Sequence, residues 1–127
     1  MQLVVTEKPS VAQAISHVIG AKERKDGYME GNGFLVSWCV GHLVELAQPE
    51  MYSEAWKKWS YESLPMIPEQ WQHEVKKETA TQYKILKNLM HDTRVESVVC
   101  ATDAGREGEL IFRLVYEQAG CRKPMKR

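Results

Sequence analysis

Val95-Glu96-Ser97-Val98-Val99-Cys100-Ala101-Thr102-Asp103-Ala104-Gly105-Arg106-Glu107-Gly108-Glu109-Leu110-Ile111 is the most telling segment of this 127-residue chain. Val95, Val98, Val99, Cys100 and Ala101 make a short apolar run that predicts a buried strand. Thr102 to Glu109 is polar, and Leu110, Ile111, Leu114 and Val115 then recur at helical spacing. The N-terminus has the same order. Leu3 to Thr6 predicts a buried strand, Glu7-Lys8-Pro9-Ser10 a turn with Pro9 in the first helical turn, and Val11, Ala14, Ile15, Val18 and Ile19 a helix that Gly20 ends. Two strands that each run through a polar turn into a helix predict an α/β fold with a parallel sheet and flanking crossover helices. Ligands of such sheets gather at the carboxyl ends of the strands. Glu7-Lys8 and Asp103 through Glu107 are therefore expected at one edge.

Between these units, residues 21–33 read as a loop or hairpin turn, and Phe34 to Val40 as a strand with one bulkier face. Residues 45–76 read as an ordered insertion. Pro49, Pro65 and Pro68 interrupt regular structure there, and Trp56, Trp59 and Trp71 are expected to pack it together, with short helices at most. Residues 77 to about 91 show a helical pattern through Tyr83, Leu86, Leu89 and Met90.

Composition narrows the function classes. Lys plus Arg and Asp plus Glu both number 17, so the formal net charge is zero and no general affinity for nucleic acid is advertised. A hydrophobic content of 43% with 27% charged residues is globular and argues against disorder. No stretch approaches the roughly 18 apolar residues of a membrane span, and the N-terminus lacks the features of a secretion signal. Cys39, Cys100 and Cys121 are widely spaced with no CxxC pair, which signals neither a zinc knuckle nor a disulfide framework. The basic run Arg122, Lys123, Lys126, Arg127 reads as a frayed, solvated tail.

Glu7, Asp103 and Glu107 would bring three carboxylates to the shared edge, flanked by Lys8 and Arg106. Hard oxygen donors in a partial cage suit Mg²⁺, which keeps several waters and completes its shell with substrate phosphate. Acids beside cations suit phosphate chemistry, in which the cations offset substrate charge and a carboxyl group moves a proton. Each residue also admits a simpler use. Asp103 could cap the following helix, Glu107 and Glu109 could favour its positive end, and Glu7 could be an exposed strand end. His42 could contact phosphate or bond its own turn. There is no GxxxxGK[ST] loop, and Gly31-Asn32-Gly33 is not a dinucleotide fingerprint.

Several segments together resemble one family in order. Glu7-Lys8-Pro9-Ser10 after an N-terminal strand, Trp38-Cys39-Val40-Gly41-His42-Leu43, the Trp59 to Pro68 stretch with Leu64-Pro65-Met66-Ile67-Pro68, and Ala101 to Glu109 are similar to segments of type IA DNA topoisomerases of the topoisomerase III branch. The resemblance implies a Toprim domain, a Rossmann-like parallel-sheet module that holds Mg²⁺. It implies that Glu7 handles the proton of the leaving sugar oxygen and that Lys8 supports the scissile phosphate. Asp103 and Glu107, with Glu7 nearby, would serve the metal. Arg106 would position the site, and Lys8, His42 and Arg106 would meet DNA. It also implies a bacterial, cytoplasmic, nucleoid-associated protein with no membrane role.

Two departures stand out. The family's Asp-x-Asp-x-Glu pattern has Gly105 in place of its middle acid, which predicts weaker or more substrate-dependent Mg²⁺ binding. The strand-cleaving tyrosine belongs to a later domain, and Tyr28, Tyr52, Tyr61, Tyr83 and Tyr116 do not match its signature. The expectation is an N-terminal Toprim portion, incomplete at its C-terminus and inactive alone, which would need the remaining topoisomerase domains. The alternative is a non-catalytic binding module or a remnant of a mobile-element enzyme. A Toprim nuclease or primase relative fits the His42 segment and the insertion poorly.

Overall fold

Five residues of mostly branched apolar character, Gln2–Thr6, form β1 at the centre of the sheet, with Leu3 and Val5 fully buried. The structure, a computed structural model, describes residues 1–58 and 60–127. Along the chain follow α1 (Pro9–Ile19), β2 (Glu23–Arg24), β3 (Tyr28–Gly31), β4 (Phe34–Trp38), β5 (Val44–Leu46), β6 (His73–Val75), α2 (Ala80–Met90), β7 (Ser97–Ala101), α3 (Arg106–Gln118) and β8 (Met125–Lys126). The main sheet has the order β2-β3-β4-β1-β7-β8. β4, β1, β7 and β8 run parallel, whereas β2 and β3 join one edge antiparallel. The sheet is thus parallel where the sequence shows strand–helix units, and residues 21–33 add an antiparallel hairpin to it.

Both faces are covered, as parallel sheets require. Successive β1 side chains point to opposite faces. Leu3 and Val5 share a core with Leu35, Val98 and Cys100, under α2 and α3. Val4 and Val36 meet Ala12 of α1 on the other face, with Ile15, Ile19 and Trp38 around them. Leu86, Met90 and Phe112 are completely enclosed, and each contributes about 1.5–3 kcal/mol by leaving water.

Of the apolar residues spaced along α1, Ile15 and Ile19 pack against the sheet, but the residues fully buried there are others. Ala12 and Ser16 are its buried residues, while Val18 is 82% exposed and Ala14 faces solvent. Small side chains at positions 12 and 16 let the helix approach the sheet closely. The larger Val18 is turned away, so the apolar spacing marks the helix but only part of its buried face.

Residues 47–72 lie between two short strands. β5 and β6 pair antiparallel, with Val44 opposite Val75 and Leu46 opposite His73, and the Ala47 amide donates to the Gln72 carbonyl at 2.8 Å. Inside are short 3₁₀ turns at Pro49–Met51 and Glu54–Trp56. The Tyr52 and Trp56 rings are 6.1 Å apart, and the Tyr52 hydroxyl donates to the Gln72 carbonyl at 3.1 Å. Trp71 is 60% exposed, so it does not pack this segment together as expected. Trp59 lies outside the described residues.

The basic C-terminal run is also not a loose tail. β8 pairs Met125 and Lys126 with Val98 and Val99 of β7. The Tyr116 hydroxyl donates to the Lys123 carbonyl at 2.7 Å, and Arg127 docks at the end of β7.

Candidate functional site

Register builds the site. Thr6 is level with Trp38 of β4 and with Ala101 of β7, so the three central strands end at one rim. Whatever follows them must emerge side by side: Glu7-Lys8 after β1, Gly41-His42 after β4, and Thr102-Asp103 after β7. Glu7, Gly41, His42, Asp103, Gly105, Glu107, Gly108 and Ile111 line one cavity of about 300 Å³ at this rim. The three acidic residues named from the sequence therefore line one cavity although 96 positions separate Glu7 from Asp103.

Local backbone chemistry sets each side chain. The Cys39 amide donates to the Thr6 carbonyl at 2.8 Å and extends the β1–β4 pairing by one step. Gly41 then takes φ 68°, a left-handed conformation that costs glycine nothing, and the chain turns to bring His42 into the cavity. Glu7 is half-buried. Lys8 is the extended N-cap residue of α1, and its carbonyl accepts from the Thr6 hydroxyl at 3.0 Å.

On the opposite wall, α3 starts after Gly105, which is its N-cap with no side-chain capping bond. Asp103 is thus not consumed as the cap of this helix, and its exposed carboxylate is left to the cavity. Glu107 and Glu109 are in the first turn, where the helix dipole favours negative charge. Gly108 is buried against the Asp103 backbone, and a Cβ there would collide with the Asp103 carbonyl oxygen. This glycine allows the acidic loop to fold onto the helix start. At Gly105 the opposite holds: φ is −78°, an ordinary value, and a Cβ would meet nothing within 4 Å.

His42 and Glu107 form a pair that the sequence did not suggest, with Nε2 3.5 Å from Oε1. His42 thus neither caps its own turn nor stands free. Lys8 and Arg106 are exposed and adjoin Glu7 and Glu107 in the chain, but neither lines the cavity. Beneath the rim, burial pushes the Cys39 thiol up to about 12, with Cys100 and Glu7 adding to the effect.

Sequence reasoning missed Arg127. Its guanidinium donates to the Glu109 carboxylate at 2.7 Å, to Cys100 Sγ at 2.9 Å, and to the carbonyls of Asp103 and Thr102 at 2.6 and 3.2 Å. A terminal basic run carries no signal that one of its members is inserted in this way.

The donor set is oxygen-rich and anionic, which fits a hard divalent cation. Among the described residues, no three His, Cys, Asp or Glu side chains stand close enough together to enclose a metal. Asp103, Glu107 and Glu7 are the acidic residues lining the cavity, and a cation there would be held by one or two of them with water as its other ligands. Among the described residues no tyrosine lines the cavity, and no helix is long and apolar enough to cross a membrane.

Residues 2–127 match the family described as Toprim domain. DNA topoisomerase 3 of Shouchella clausii (strain KSM-K16) is 47% identical over 124 residues, covering 98% of this chain and 17% of that protein. DNA topoisomerase 3 of Staphylococcus haemolyticus (strain JCSC1435) is 46% identical over 125 residues, and that of Staphylococcus epidermidis (strain ATCC 12228 / FDA PCI 1200) 43%, each covering 98% of the chain and 18% of the relative. The chain thus spans less than a fifth of the length of these relatives.

Proposed function

Because the chain belongs to the Toprim family, a family of metal-binding domains, and is homologous to the N-terminal region of DNA topoisomerase 3, we propose that it is the Mg²⁺-binding portion of a type IA, topoisomerase III-like enzyme. The whole enzyme would break and rejoin single DNA strands by transesterification. The observation that carries this reading is the meeting of Glu7, Asp103 and Glu107 in one cavity at the carboxyl ends of β1 and β7.

In this reading a strand phosphate lies over the rim. Asp103 and Glu107 hold the hydrated cation, which when bound supplies positive charge to the phosphate oxygens. Lys8 and Arg106, exposed at the starts of α1 and α3, offset the remaining backbone charge. His42 orients Glu107 from the facing wall. As a tyrosine oxygen from another domain, its proton passed to water, bonds to phosphorus, the bond from phosphorus to the leaving sugar oxygen breaks. Glu7 gives that oxygen its proton and takes it back on religation. The isolated chain binds Mg²⁺ and does not relax DNA. The enzyme would work in the cytoplasm, at the nucleoid.

Mg²⁺ titration followed by NMR tests this. Saturable shifts at Asp103 and Glu107 in the low-millimolar range are expected. No shift up to tens of millimolar would instead favour a non-catalytic Toprim-fold binding module, the reading that Gly105 supports by removing one acid. Relaxation of supercoiled plasmid by this chain alone would overturn the assignment of the nucleophile to another domain.

A further inference from the structure

We propose that Arg127 is a positioning residue that clamps the acidic loop, holding Asp103 and Glu107 toward the cavity. The proposal deepens the reading above and rests on it for the ion, though not for the clamp itself.

β8 runs alongside β7, with Lys126 level with Val99. The next residue therefore arrives beside Cys100, where β7 gives way to the acidic loop. There the Arg127 guanidinium spans three parts of the site. Nη1 donates to Cys100 Sγ in the strand (2.9 Å) and to Glu109 Oε2 in the first turn of α3 (2.7 Å). Nη2 donates to the loop carbonyls of Thr102 (3.2 Å) and Asp103 (2.6 Å). Glu109 is held from its other side by Arg113, at 2.9 Å.

The Asp103 peptide is consequently gripped between two elements. Its carbonyl faces both the Arg127 fork and the bare Cα of Gly108, against which no side chain would fit. With the backbone held there, the carboxylate is directed to the cavity. The planar, five-donor guanidinium meets four acceptors at once, which an ammonium cannot do in the same plane. The other cations of the C-terminal run are used differently; Lys123 donates to the Asp92 carbonyl at the far end of β7.

The test compares this 127-residue chain with its Arg127→Ala and Arg127→Lys variants. Without metal, amide hydrogen exchange at residues 103–107 is expected to quicken about tenfold or more in both, while β1 and α2 amides keep their protection. Methylguanidinium at tens of millimolar should restore part of that protection in Arg127→Ala and none in Arg127→Lys. Mn²⁺ affinity, read by paramagnetic broadening, should fall about fivefold or more. Unchanged exchange at residues 103–107 would overturn the clamp, and so would a uniform loss of protection through β1 and α2. If the parent chain binds no Mn²⁺ but the loop still loosens locally, the clamp stands and the metal-site reading fails.

Discussion

Replacing Gly105 by aspartate should strengthen the proposed cation site. The backbone at this position has φ −78° and ψ 173°, which any residue adopts, and a Cβ would meet nothing within 4 Å. The substitution is therefore free of steric cost. Position 105 is also the N-cap of α3, where aspartate is better than glycine by a few tenths of a kcal/mol. Repulsion from Asp103 and Glu107 opposes that gain, so metal-free stability should change by less than about 0.5 kcal/mol. With the ion present the balance shifts. A carboxylate about 4 Å from a unit charge gains about 1 kcal/mol at the dielectric of water and more at a protein surface. A divalent ion doubles the attraction, and desolvation and crowding of the carboxylates remove part of it. A net gain near 1.4 kcal/mol, about tenfold in affinity, is the expected size. Calorimetric titration with Mg²⁺ and Mn²⁺ measures it, and the rise in thermal midpoint at saturating ion checks it independently. Gly105→Asn is the control, since it caps the helix without adding charge and should leave affinity where it was. Equal affinities for Gly105→Asp and the parent chain would refute the argument that the cavity beside Gly105 is where the ion binds.

Three other outcomes follow from the packing. Gly108→Ala should cost about 1–3 kcal/mol, because the new methyl group meets the Asp103 carbonyl; a urea midpoint that does not move would show that the loop yields freely. Phe112→Ala, at a fully enclosed position of α3, should cost about 3–5 kcal/mol in the same assay. Cys39 gives a pH signature. Its thiol is pushed up to about 12 from an ordinary 9.0, mainly by burial, so the folded chain retains a proton that the unfolded chain releases. Its contribution to stability is complete below pH 9 and is lost as the pH rises from 9 toward 12. Urea midpoints across that range should fall less steeply in Cys39→Val than in the parent chain, and matching slopes would contradict the assignment.

What the sequence made legible was the part governed by local pattern and a general topological rule. β1 and β7 are runs of branched apolar residues between polar turns, and the rule that parallel strands end at one rim brought Glu7 to Asp103. The short strands gave no such signal. β5 and β6 have three residues each and β8 two, too few for alternation to be read. The buried face of α1 was only partly legible, because its closest contact with the sheet uses the small Ala12 and Ser16 while Val18 faces water. The His42–Glu107 pair and the Arg127 clamp depend on register between distant strands, which no spacing in the chain encodes. The exposed Trp71 is a further lesson: a large aromatic near prolines suggests packing but does not specify a partner.

The short β5–β6 ladder has an architectural consequence. Because Leu46 and His73 are held opposite each other, everything between them is a side branch whose feet are already tied. Lengthening or trimming such a branch changes only a closure entropy that grows slowly, by about 0.6 kcal/mol per doubling. The rim carrying Glu7, His42 and Asp103 is thereby insulated from insertions and deletions in residues 48–71, so that region is free to diversify while the rim keeps its geometry.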